Sequence, residues 1–161
     1  MRASIWNPHH PKRQGTNMAL PTSDFLFLTC ASLYGFASIL HLGCILFGEK
    51  WYRFFGAGEK MLEQVRRGAR LPSIVTLAIA GALLLMSAYN LSAAGIFSDF
   101  PFHQFFLWAC AIALLARALL FAPLMKFIRG NSLQFWLVSS AICLMLGCLQ
   151  LFALLSSNSP H

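Results

Sequence analysis

The chain has 161 residues, of which 58% are hydrophobic and only 11% charged, with a formal net charge of +7. A soluble domain of ordinary composition carries about 25% charged residues, and the mean hydropathy here is +0.65. A soluble fold of this length has too little interior to hide that much apolar surface, so the composition predicts an integral membrane protein.

Residues 1–17 are polar, rich in His and Pro, and unlike everything that follows. They read as a disordered tail, and Met18-Ala-Leu-Pro offers an alternative start. Residues 18–157 then read as one all-α domain, an antiparallel bundle of four membrane-spanning helices, with 158–161 as a C-terminal tail. A spanning helix needs about 20 apolar residues. Four runs meet that length, at about 25–48, 72–97, 103–128 and 133–156. The first is too long for the apolar region of a cleaved signal and has no clear cleavage site after it.

Between the first two runs lies the most distinctive stretch, from Glu49 to Gly68. Trp51, Tyr52, Phe54 and Phe55 fall at the expected membrane boundary, where aromatic anchors belong. Glu59 to Arg67 reads as a short amphipathic helix with Met61, Leu62 and Val65 on its apolar side, and Glu63 is spaced to pair with Arg67. Such a helix is expected to lie in the interface, with its cations toward anionic lipid. Arg53 and Glu59 are the candidate residues of a site in this loop.

This loop also carries a resemblance. Trp51-Tyr-Arg-Phe-Phe-Gly-Ala-Gly-Glu59, preceded by His41-Leu, resembles a family of small, uncharacterised bacterial inner-membrane proteins. The likeness extends through Val75-Thr-Leu-Ala-Ile-Ala80 and Leu115-Ala-Arg117-Ala-Leu to Phe135-Trp-Leu-Val-Ser-Ser140, covering most of the chain from residue 18 onward. It implies a multi-pass, four-span protein of a bacterial inner membrane and no mechanism. Where a late His is expected in the last span, this chain has Gln150.

Positive charge is concentrated in cytoplasmic loops. Lys50, Arg53, Lys60, Arg66, Arg67, Arg70, Lys126 and Arg129 fall on one side of the four runs; only Arg2, Lys12 and Arg13 fall on the other. Both termini are therefore expected outside and the basic loops in the cytoplasm.

Polar residues within each run recur at helical spacing: Cys30, Tyr34, Ser38 and His41; Thr76, Ala80, Ser87, Asn90 and Ala94; His103, Cys110 and Arg117; Trp136, Ser140, Cys143, Gly147 and Gln150. Costly intramembrane polar groups turn inward, so these four seams should face one another. Small pairs such as Ala31/Gly35 and Ala109/Ala113 should let backbones approach. At 1.5 Å per residue, His41 lies about 24 Å and Arg117 about 21 Å from the outer ends of their runs. The matched depth makes His41, Arg117 and Ser140, with Ser139 beside it, a candidate intramembrane polar site. Asn90 and Gln150, with Tyr89, form a second polar layer nearer the outer side. Arg117 is the one charge deep in a run, and no acidic residue within any run neutralises it. Glu49, Glu59, hydroxyl or backbone oxygens, water or an anionic lipid are its available partners.

Other chemistry finds little support. The five cysteines, Cys30, Cys44, Cys110, Cys143 and Cys148, form no Cys-x-x-Cys pair and lie within the runs, where a packing role is expected. His9-His10 has no evident third ligand, so no metal site is expected. His41 and His103 sit at opposite ends and cannot flank one haem within a subunit. No span holds the carboxylate that proton-coupled antiport calls for. No phosphate loop or nucleophile elbow is present, and the charge sits where lipid rather than nucleic acid would meet it. The sequence is read as a non-enzymatic protein without cofactor that binds anionic lipid or a membrane-protein partner, with a second copy of itself as one such partner. A small oligomeric transporter or channel is the alternative. A membrane enzyme with His41 as base and Arg117 holding a substrate anion is a third.

Overall fold

The computed structural model describes residues 22–98, 100–127 and 132–158, without the side chains at 124, 126 and 127. The tail at 1–17, Asp99, Arg129 and most of the C-terminal tail lie outside the described residues. Every regular element is a helix: α1 (Thr22–Phe47), α2 (Glu49–Phe54), α3 (Glu59–Arg66), α4 (Arg70–Ala93), α5 (His103–Leu119), α6 (Phe121–Phe127) and α7 (Leu133–Ser157). No strand occurs among the described residues.

Three helices, α1, α4 and α7, are long and apolar enough to cross a membrane. The third apolar run differs from the expectation of one continuous span. It is divided into α5, of 17 residues, and the short α6. Pro123 explains the division: it has no N–H to give to the carbonyl of Leu119, and its ring crowds that carbonyl. The ladder therefore stops at Leu119, with Leu120 N–H bonded back to Ala116 O at 2.8 Å as the last link. The second run also ends early, at Ala93 rather than near Phe97. There Gly95 takes φ +75°, the N–H of Gly95 bonds Ser92 O at 2.9 Å, and that of Ile96 bonds Leu91 O at 3.0 Å. That pair of bonds is the Schellman stop, which calls for glycine at the left-handed position.

α1 packs mainly along α4 and α5 along α7; α1 against α7 and α4 against α5 join the two pairs. Two serines set the antiparallel register of the first pair. Ser38 Oγ donates to Ala80 O, and Ser87 Oγ donates to Ala31 O, each at 2.8 Å. Cys30, Tyr34, Ser38, Thr76, Ala80, Ser87, Asn90, Cys110, Trp136, Ser140, Gly147 and Gln150 are buried, so the seams face inward at these positions, while His41, Ala94, His103, Arg117 and Cys143 are only partly buried. Large side chains such as Phe36, Ile39, Leu84, Ile112 and Phe152 stand outward and exposed.

One close approach differs from expectation. Ala109 and Ala113 are exposed rather than packed. The tight contact between α5 and α7 is instead at Gly147, where an added Cβ would lie 2.9 Å from Leu115 Cγ and Cδ2. At the far end, Tyr89 stacks on Phe106 with ring centroids 3.9 Å apart and donates through its hydroxyl to Pro101 O at 3.2 Å. These contacts hold the α4–α5 turn.

Candidate functional site: a basic end and a partly buried arginine

The antiparallel course carries α2, α3 and α6, the start of α4 and the end of α5 to one end of the molecule. Every Lys and Arg whose side chain is described falls there or just inside it: Lys50, Arg53, Lys60, Arg66, Arg67, Arg70 and Arg117.

α2 and α3 cover this end as a small lid. Leu62 is buried against Cys44 and Tyr52, with Trp51, Ala57, Met61 and Val65 packed around them. The apolar face of α3 therefore meets protein, not lipid, because the tight turn after α2 folds α3 back beneath the end of α1. In that turn, Gly56 (φ +80°) also passes close to α7: an added Cβ would lie 3.2 Å from Phe135 Cβ. Tyr52 likewise departs from its expected place among the boundary aromatics. It is 5% exposed, and its hydroxyl donates to Thr76 Oγ1 at 2.9 Å. Trp51 is partly buried, stacked on Phe47 at 4.6 Å between centroids. Phe54, 82% exposed, and Phe55 are the two that stand outward.

Arg53 and Glu59 do not pair with each other. Two residues link them. Glu49 accepts from Arg53 Nη2 at 2.6 Å and from Arg66 Nε at 2.9 Å, and Arg66 lies 3.9 Å from Glu59. The four charges tie α2 to α3. Arg66 foremost, then Arg53, holds the Glu49 carboxyl below its ordinary range. Arg67 pairs with Glu63 as its spacing predicts. Lys50, Lys60 and Arg70 form no ion pair among the described residues.

Arg117 lies in the last turn of α5, partly buried. Its Nη1 donates to Ser140 Oγ and its Nη2 to Ser139 Oγ, both at 3.3 Å. Its guanidinium carbon sits 4.7 Å from the centre of the Trp136 ring. Trp136, Ser139 and Ser140 share one side of α7 because residues three and four apart align on a helix. The arrangement is rich in donors. A guanidinium presents five N–H groups, each serine hydroxyl still has a proton to give, and the indole Nε1 of Trp136 is buried without a partner. No carboxylate pairs with Arg117 among the described residues, since Glu49 is committed to Arg53 and Arg66. What offsets the charge is the α5 C-terminus, whose free carbonyls carry about half a negative charge, and the face of the Trp136 ring.

His41 is near in depth but forms no bond with Arg117. Phe27 packs with Ala153 and Leu154, and Tyr34 with Leu146. Continuing that antiparallel register sets His41 level with Ser139. Its Nδ1 lies 2.8 Å from Ala37 O. A carbonyl only accepts, so Nδ1 carries the proton and Nε2 is left to face outward from that bond. Sequence reasoning brought together Arg117, Ser139 and Ser140. It missed Trp136 as the platform under the guanidinium, and Glu49 and Arg66 as the link in the loop. The i, i+3, i+4 spacing of Trp136, Ser139 and Ser140 was the available signal for the first.

Compared with protein-family models, curated proteins and solved structures, the chain matches none.

Proposed function

We propose that this chain is a multi-pass protein of a bacterial inner membrane. In this reading α1, α4, α5 with α6, and α7 form a four-helix membrane bundle whose basic end faces the cytoplasm. Its role is to bind an anionic phospholipid headgroup at Arg117, as a non-enzymatic accessory to the membrane or to a larger assembly. The observation that carries this is a partly buried guanidinium surrounded by donors and with no carboxylate partner among the described residues. A phosphate oxygen accepts from a guanidinium in a charge-assisted bond, and Ser139, Ser140 and Trp136 have further hydrogens to offer. The outward apolar belt of α1, α4 and α7 supports the membrane placement, since an exposed apolar surface of that extent is foreign to soluble monomers. Lys50, Lys60 and Arg70 at the same end would attract the headgroup before it reaches the niche. The Trp51–Glu59 string supports kinship with the small inner-membrane family it resembles.

The test is native mass spectrometry of detergent-released protein with added anionic and zwitterionic phospholipids. The Arg117→Leu chain should retain anionic lipid about tenfold more weakly, since a hydrogen bond to a charged group is worth about 1.5–3 kcal/mol. Equal retention by a folded variant overturns the reading.

A further inference from the structure

We propose that Tyr34, Asn90 and Gln150 form an internal water-binding site, a polar layer inside the helices that is separate from the Arg117 niche. All three side chains are fully buried. The Tyr34 hydroxyl, Asn90 Oδ1 and both amide atoms of Gln150 have no hydrogen-bond partner. Asn90 uses its Nδ2 to donate to Met86 O at 2.8 Å, which leaves its oxygen the group in need. Buried polar atoms are almost always satisfied, and four unsatisfied atoms on three helices call for a shared partner.

The packing supports one common location. Two apolar clusters divide the interior. One holds Phe27 and Leu154, with Ala93 against it; the other holds Tyr34 and Leu146, with Met86 against it. Asn90 lies between Met86 and Ala93 on α4, and Gln150 lies between Leu146 and Leu154 on α7. Both therefore sit at the seam of the two clusters. On α1 a long side chain leans toward the helix N-terminus, which carries the Tyr34 hydroxyl from the inner cluster toward the same seam. No hydrogen bond joins the three side chains to one another.

The chemistry of the occupant follows from the atoms. The Gln150 N–H groups need an acceptor, while Gln150 Oε1 and Asn90 Oδ1 need donors. The Tyr34 hydroxyl can serve as either. A ligand that both donates and accepts, small enough for an interior walled by fully buried neighbours, is water. A bound water makes two to four such bonds, which is what this set provides. The inference rests on the packing of α1, α4 and α7 and on no feature of the Arg117 reading.

Radiolytic hydroxyl-radical footprinting of the full chain tests it, because radicals form from water at the place where water is held. Tyr34 should be oxidised several-fold faster than Phe27, which is equally hidden but lies in the apolar cluster. Gln150→Leu should lower the Tyr34 rate several-fold and leave that of an outer residue such as Tyr89 unchanged. Tyr34 as inert as Phe27 in the unsubstituted protein overturns the proposal, whether or not the variant folds. Thermal unfolding gives a second reading. A dry layer predicts that Gln150→Leu raises the midpoint, since an orphaned amide is removed. A hydrated layer predicts that it falls, because the water loses an anchor for Asn90 and Tyr34.

Discussion

Two charged residues at the basic end meet opposite fates. Arg117 is held inside the helices by hydroxyls, a ring face and a helix end; Glu49 is held outside by two guanidinium groups. The depressed carboxyl of Glu49 gives a pH dependence with a definite sign. A carboxylate favoured in the folded state adds stability that is fully present above its unfolded value, here 4.5, and is lost as pH falls through its lower folded value. Hydrogen exchange should therefore show α3 amides losing protection below about pH 4.5, while α4 amides hold. Glu49→Gln should show the same loss at neutral pH, and identical α3 protection in that variant would refute the link. At Gly147 the constraint is steric. Gly147→Ala forces Leu115 aside and should destabilise the α5–α7 contact by about 1–3 kcal/mol, read in thermal unfolding.

At the scale of elements, the long apolar helices and their inward seams were legible in the sequence because period and hydropathy alone decide them. Cys30, Tyr34 and Ser38, or Trp136 and Ser140, repeat at helical spacing and are buried accordingly. What depended on a single residue was harder to see. Pro123 ends α5 through one missing donor, within an apolar run that carries on past it as Leu124-Met125 before Lys126. The sequence groups Tyr52 with its aromatic neighbours, but its direction is set by the fold of α3 beneath it, which no local pattern states. The bridge from Arg53 to Glu59 through Glu49 and Arg66 likewise spans two helices, and only their packing creates it. Pro123→Ala tests the cause of the break. It restores the donor and removes a residue that costs a helix interior about 3 kcal/mol, so the residue-123 amide should become protected from exchange and α5 should run on into α6. An unprotected amide there would assign the break to packing instead.

At the scale of the whole molecule, the Lys and Arg residues whose side chains are described lie toward one end and the apolar surface on the flanks. For the proposed cytoplasmic placement, Lys60→Cys, in a chain whose own cysteines are replaced by alanine or serine, should react with an impermeant thiol reagent only after cells are opened. Labelling of intact cells would invert the orientation. The shortness of α5 has a further consequence in that placement. Its 17 residues rise about 25 Å, whereas the 26 of α1 rise about 39 Å. The hydrocarbon layer is about 30 Å thick, so α5 alone falls short of it, α6 has to complete the third crossing beyond the break at Leu120, and α1 exceeds it. Lipids beside α1 would be stretched or the helix tilted, while the jointed third crossing has, in its break, a place to take up a change in thickness. The protein's position among membranes would then follow from thickness as much as from any ligand.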